Sequence, residues 1–315
     1  MIGISAVAPY IPGQSINNLE RLDAFQVSRE FVCDKTGFVS VAIKGEDEET
    51  SDLCVKAYRN LQHKTDIDIS AIDCIIVCTQ NPDAAGLPHT SAIVHGKLGG
   101  GTACASFDVS LGCSGYVYGL SVAKAFMEAN SYKKGLLFTA DPYSKIVDQT
   151  DKNTALLFGD AATVTLLTEN PTWSIGACEF GTFGQQSDVI RRTGSLGKLD
   201  MNGRGVFTLA AKYIPGSIMS TLEKNHLILA DIDLFVLHQG SKYIVDTLAE
   251  KLGVERDKAP FAAGSYGNTV SSSIPLLLEN VPAGARRILL SGFGVGFSWA
   301  NTVLTRTGDD YERHQ

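Results

Sequence analysis

Three stretches of this chain occur twice, in the same order. Residues 72–79 read IDCIIVCT and residues 232–239 read IDLFVLHQ, an offset of 160 residues. FDVSLGCSG at 107–115 is followed 154 residues later by FAAGSYGNT at 261–269, and LLFTAD at 136–141 is followed 152 residues later by ILLSGF at 288–293. A slow drift in offset with the order kept is what a duplicated unit with unequal loops produces. The apolar runs have strand length and sit between helical patterns, which predicts an α/β fold with mostly parallel pairing. The boundary between the units falls near residues 168–174. The expected halves are residues 1–170 and 171–315.

The duplication limits where chemistry can sit. Open α/β sheets bind ligands at the carboxyl ends of their strands. In register, His238 falls opposite Cys78 and Asn268 opposite Ser114. Both therefore lie near the second-half equivalent of the turn at Cys113. That turn is the most informative stretch in the first half. Phe107, Val109 and Leu111 alternate as in a buried strand, Gly112 breaks it, and a helical pattern begins at Cys113. Gly115, Gly119 and Ala123 recur every four residues on one face, which predicts close approach of another helix. A cysteine on a tight strand-to-helix turn is placed for nucleophilic catalysis, and a helix start favours its thiolate. A buried structural cysteine is the competing reading.

Elsewhere the chain reads as an alternation. Residues 2–8 form a first strand, 28–37 a helix running into a loop, 53–61 an amphipathic helix capped by Thr50 or Ser51, and 90–98 a helix ending at Gly99. Further strands lie at 135–140 and within 156–169. The net charge is -7, from 34 acids against 27 bases, with no basic run. That argues against nucleic acid as a partner. No apolar run reaches membrane-spanning length and no basic region precedes the N-terminal apolar stretch, which predicts a cytoplasmic protein with reduced cysteines. The seven cysteines make a poor disulfide framework, and no Cys/His spacing suits a metal.

Three residues converge on one reaction class. Cys113 supplies a nucleophile. His238 ends the buried run LFVL, where a satisfied core histidine is the plain alternative. Asn268 lies in a glycine-flanked turn opening a helix, where an N-cap is the plain alternative. The loop Gly292–Phe297, GFGVGF, can bring a backbone N–H close to a reacting carbonyl.

On DVSLGCSG (108–115), LFGDAA (157–162), HQGS (238–241), YGNTVSSSIP (266–275) and FGVGFSW (293–299), the chain resembles the β-ketoacyl-acyl-carrier-protein synthase III family of thiolase-fold condensing enzymes, over essentially its whole length. The resemblance implies a five-layered αβαβα fold of two pseudo-symmetric halves and a homodimer. It implies that Cys113 carries the acyl group and that His238 and Asn268 bind the thioester carbonyl of a malonyl extender held on acyl carrier protein. The N–H groups of Cys113 and Val295 would form an oxyanion hole. Leu87 would reach into the partner's acyl tunnel. No metal or cofactor is implied beyond acyl thioesters on coenzyme A or carrier-protein phosphopantetheine.

The departures from the family pattern are specific. HQGS stands for HQAN, so Ser241 replaces an asparagine that helps fix the histidine. Phe31 stands for Trp, Lys35 and Lys152 for Arg, and Tyr243 for Arg. Lysine keeps the charge and loses the flat, bidentate guanidinium. These changes point to a specialised role and a donor other than acetyl-coenzyme A. Two other functions remain open at this point: acyl transfer from Cys113 to oxygen or nitrogen without condensation, and a silent partner subunit. An intact Cys–His–Asn set argues against both.

Overall fold

The computed structural model describes residues 1–193 and 197–308. In chain order, β1 (Gly3–Tyr10) leads to a small hairpin of β2 (Gln14–Asn17) and β3 (Ser40–Ile43). Between its strands lie α1 (Leu22–Phe25) and a π-type turn at Phe31–Thr36 that Gly37 ends at a φ of 79°. Helix α2 (Thr50–Gln62) follows. Its cap is Glu49, and not Thr50 or Ser51. The Glu49 N–H donates to the Asp52 carboxylate at 2.9 Å, while Ser51 is drawn inward to Asp83. Then come β4 (Cys74–Cys78), α3 (Thr90–Leu98), β5 (Ala105–Val109), α4 (Gly115–Ala129), β6 (Lys134–Ala140), α5 (Lys152–Ala155) and β7 (Ala162–Thr168).

The second half opens with β8 (Trp173–Ile175), β9 (Glu179–Thr182) and the short pair β10 (Ile190–Arg192) and β11 (Leu199–Met201). It continues through α6 (Gly203–Lys224), β12 (Leu234–Leu237), α7 (Lys242–Leu252), α8 (Ser273–Leu278), β13 (Arg287–Gly294) and β14 (Ser298–Arg306).

Ten strands form one continuous sheet in the order β12-β13-β14-β8-β1-β7-β6-β4-β5, with β9 on β14. Mostly parallel pairing does not hold. Only β4–β5, β4–β6 and β12–β13 are parallel, and the remaining pairs of this sheet are antiparallel. The repeat explains the mixture. In each half two strands run parallel, β4 with β6 and β12 with β13. A third, β7 or β14, returns antiparallel, and a fourth, β1 or β8, pairs antiparallel to that one. The halves then join where β8 meets β1.

One element of the duplication is missing. Residues 261–269 form no strand corresponding to β5; only Asn268 makes an isolated bridge, to Phe158. Two glycines in nine residues and no apolar alternation leave nothing for a strand to bury there.

The helices complete five layers. Helices α2 and α3 pack on the outer face of the first-half strands, and α6 packs with α7 on the outer face of the second. Helices α4 and α8 touch strands of both halves and form the middle layer. Helix α4 is buried on Tyr116, Val117, Leu120, Ala123 and Met127. Its glycine face meets strands rather than a helix. A Cβ at Gly115 would lie 2.3 Å from Cys78 Sγ on β4, and one at Gly119 would lie 3.0 Å from Leu137 on β6. Every residue of β4 is buried, as a parallel strand covered on both faces requires.

Candidate active site

Cys113 lies in the turn between β5 and α4. The helix begins two residues later, at Gly115, so Cys113 precedes the helix rather than opening it. Backbone crowds the cysteine from the second half. A Cβ at Gly294 would sit 2.7 Å from Cys113 Sγ, and one at Gly292 would sit 2.7 Å from the Cys113 carbonyl oxygen. The last residues of β13 therefore need glycine to pass the nucleophile, and the loop to β14 follows at once. The backbone N–H groups of Val295 and of Cys113 itself face Sγ and favour its thiolate form. Ser298 fixes this loop: its hydroxyl donates to the Val295 carbonyl at 2.8 Å and meets Ser114 Oγ at 2.9 Å.

The thiol is not poised as a thiolate. Burial pushes it up to about 12 against the pull of the two N–H donors, and the nearby Asp141 carboxylate pushes the same way. Desolvation outweighs the helix start. Asp141 is itself fully buried at the end of β6, with its carboxyl raised to about 6 by burial. It accepts from the Gln80 N–H at 2.7 Å and the Ser271 hydroxyl at 2.5 Å.

His238 follows β12 and stays in its ladder, donating its N–H to the Ser291 carbonyl at 2.8 Å. The ring is buried, edge-on to Phe293 at 5.5 Å, and burial lowers it to about 3. It is therefore a neutral imidazole at physiological pH. Its Nδ1 meets Ser273 Oγ at 2.7 Å. Ser241 is not its hydrogen-bond partner: that hydroxyl accepts from the Ile244 N–H at 3.2 Å and caps α7. A Cβ at Gly240 would lie 3.4–3.5 Å from the imidazole, in ordinary contact.

Asn268 is held by the first half. Its N–H donates to Leu157 O at 2.8 Å, and its carbonyl accepts from Gly159 N–H at 3.0 Å. The LFGDAA motif thus builds the seat for Asn268. Gly159 has no alternative, since a Cβ there would lie 1.9 Å from Tyr266 O. The side chain forms a local turn, Oδ1 accepting from Val270 N–H at 2.9 Å. That leaves the amide N–H groups for a ligand. Val270 takes a left-handed φ of 54°, which a β-branched residue rarely adopts. It is fully buried, and strain of this kind belongs at a site the surroundings over-determine.

Cys113, His238 and Asn268 line one cavity of about 470 Å³. Its inner wall is apolar, with Tyr143, Phe158, Ile190, Val206 and Phe293. Its mouth carries Phe31, Lys35, Ser241 and Tyr243, with Lys35 lying 4.3 Å from the Tyr243 ring centroid. Tyr243 in turn stacks on Phe207 at 5.0 Å. Lys152 is exposed on α5 and is not among the lining residues. Leu87 lies away from the cavity and is 86% exposed, so it is no core leucine. Arg204 and Phe207, at the start of α6, line the mouth and were not foreseen. Nothing in GRGVFTLA marks them, because only tertiary packing brings α6 over α7. Ser273 was also missed, although it lies inside the YGNTVSSSIP motif.

A buried thiol with two N–H donors at sulfur, and a neutral imidazole and a carboxamide in the same cavity, define a thiolase-fold acyltransferase of the condensing type. The comparisons are more particular. The family model described as 3-oxoacyl-[acyl-carrier-protein (ACP)] synthase III matches residues 107–184, and the model of that family's C-terminal part matches residues 222–306. A β-ketoacyl-[acyl-carrier-protein] synthase III of Streptococcus sanguinis is 35% identical over 322 residues, spanning 96% of this chain and 98% of its own. The crystal structure of the synthase III of Thermus thermophilus superposes with a TM-score of 0.90 at 32% identity, covering 97% of this chain and 99% of the other. The priming β-ketosynthase of the R1128 polyketide biosynthetic pathway gives 0.88 at 27% identity, covering 97% of this chain and 96% of its own. The chain belongs to the 3-oxoacyl-[acyl-carrier-protein] synthase III family.

Proposed function

We propose that this chain catalyses decarboxylative Claisen condensation of an acyl starter with a malonyl thioester on acyl carrier protein, as a cytoplasmic homodimer. Its first half, residues 1–170, supplies Cys113, and its second half, residues 171–315, supplies His238 and Asn268. In the first step the Cys113 sulfur attacks the donor thioester, its proton goes to the departing thiol, and the starter becomes acyl-Cys113. In the second, the malonyl thioester loses CO₂ and its electron pair passes to an enolate. The enolate carbon attacks the acyl-Cys113 carbonyl, the C–S bond breaks, and the sulfur takes up a proton as the 3-oxoacyl thioester leaves.

The residue types suit each step. The N–H groups of Cys113 and Val295 act as the oxyanion hole for both attacks at the acyl carbonyl. Neutral His238 and the Asn268 amide donate to the enolate oxygen and offer no carboxylate that would quench it. One such donor supplies roughly 3–4 kcal/mol of barrier lowering. The observation that carries this reading is a neutral imidazole, His238, lining the same cavity as the Asn268 carboxamide and Cys113, which simple acyl transfer would not need.

The donor is read from the mouth. Phe31 offers less stacking area than a tryptophan, and Lys35, lying over Tyr243, lacks a flat guanidinium, so these two positions grip a coenzyme A adenine less well than the family's Trp and Arg. Lys35, Lys152 and Arg204 suit the acidic surface of a carrier protein. The dimer reading is supported by β5, which ends the sheet with one side unpaired, and by the exposed Leu87.

Intact-mass measurement with the same acyl group on coenzyme A and on carrier protein tests the proposal. Peptide mapping should place the adduct on Cys113, formed faster from carrier protein. Adding malonyl carrier protein should then discharge it with one CO₂ per 3-oxoacyl product. An adduct that survives in Cys113→Ala, or discharge without CO₂, would sink it.

A further inference from the structure

Three consecutive buried serines precede and open α8, and each holds a different part of the site. Ser271 donates to Asp141 at 2.5 Å. Ser272 reaches the carbonyls of Thr139 and Ala161 at 3.1 and 3.3 Å and meets Thr139 Oγ1 at 2.8 Å. These two fasten the run to the ends of β6 and β7 in the first half. Ser273 points the other way, to His238 Nδ1 at 2.7 Å, and that is its one side-chain hydrogen bond among the described residues. The run thus clamps the imidazole of the second half to the strand ends of the first.

The direction of that last bond follows from counting donors. A hydroxyl carries one proton, and a fully buried hydroxyl keeps it in a hydrogen bond. Serines near helix starts often donate to a carbonyl one turn back. Ser273 makes no such bond, so Nδ1 is the acceptor that remains for its proton. A neutral imidazole carries a single N–H. If Nδ1 accepts, the proton is on Nε2, the edge of the ring toward Gly240, in a side chain that lines the cavity.

We propose that Ser273 is a positioning residue that donates to His238 Nδ1, fixes the Nε2–H tautomer and aims that N–H into the cavity. The opposite tautomer would present a lone pair to the enolate oxygen and repel it. Burial of the ring excludes the doubly protonated form, which would bond in both directions and make the tautomer irrelevant. Among the described residues no charged side chain is hydrogen-bonded to the ring, which meets Ser273 on one side and Phe293 on another. The consequence for condensation rests on the reading of His238 given above, whereas the proton assignment does not.

The test is ¹⁵N NMR of histidine-labelled protein, with the His238 signals identified by difference against His238→Ala, together with both half-reactions of Ser273→Ala and Ser273→Thr. The wild-type ring should show a protonated Nε2 and an unprotonated Nδ1. Ser273→Ala should shift the Nδ1 resonance and slow condensation roughly tenfold, the scale of one lost hydrogen bond, with acylation of Cys113 affected less. Ser273→Thr, which keeps the hydroxyl, should restore both. A wild-type ring protonated at Nδ1, or full condensation by Ser273→Ala, would overturn the proposal. If Ser273→Ala does not fold, the wild-type spectrum still decides. If His238→Ala condenses normally, the role given to His238 falls, while the spectrum continues to test Ser273.

Discussion

The chemistry of single residues here is set more by burial than by neighbours. Cys113 was expected as a thiolate on a helix start. Burial holds the thiol up at about 12, and the Asp141 carboxylate adds to this. The thioester attack must therefore move the thiol proton within the step. Asp141→Asn tests the coupling. Removing the charge should speed alkylation of Cys113 by iodoacetamide at pH 8, and an unchanged rate would show that Asp141 is not felt at the sulfur. The same variant has a stability signature. Burial raises the Asp141 carboxyl from an ordinary 3.8 to about 6, so the folded state binds its proton more tightly than the unfolded chain does. That contribution is complete below about pH 4 and is lost as pH rises through 6, a loss of about 3 kcal/mol. Asp141→Asn escapes it, because Ser271 can turn to accept from the new amide. Its Tm should gain on wild type more at pH 8 than at pH 4; equal gains at both would contradict the account. None of this was legible in the sequence, since LLFTAD reads as a strand end and burial is a property of the assembled layers.

At the scale of elements, the strand and helix patterns were readable wherever periodicity was strong. IDCIIVCT, IDLFVLHQ and ILLSGF are strands, and TSAIVHGKL ends at Gly99 in the left-handed conformation as its composition demanded. Partners were harder to read. The glycine face of α4 predicts the approach of another helix, and the neighbours are instead the strands β4 and β6. This has a measurable consequence. Gly115→Ala would put a methyl against Cys78 Sγ two residues from the nucleophile. Overpacking of this kind costs roughly 1–3 kcal/mol. Urea denaturation should show that loss together with slower acylation, and a variant of wild-type stability would mean that α4 can slide off the sheet. Ser241 and Ser273 teach the same lesson. Both lie in recognisable motifs, yet only the course of the backbone decided that Ser241 caps α7 and Ser273 holds His238.

At the scale of the whole molecule, the duplication foretold two halves and a shared site, and the pairing of β1 with β8 is what joins them. It did not foretell the loss of a β5 equivalent in the second half, which leaves β12 as one edge of the sheet while β5 is the other. An unpaired buried-type strand seeks a second copy of itself. Light scattering should report a dimer, and Leu87→Trp should shorten the longest starter accepted, if the exposed loop enters the partner's cavity. A monomer, or an unchanged chain-length profile, would remove that part of the account. The central claim is the division of labour between the halves, with Cys113 holding the starter and His238 and Asn268 serving the extender. The most direct measurement follows the two half-reactions separately, acyl transfer to Cys113 by intact mass and condensation by CO₂ release, in His238→Ala and Asn268→Ala. The account predicts that both variants still take the acyl group and that each loses condensation by roughly 10²-fold or more; equal loss of both steps would contradict it.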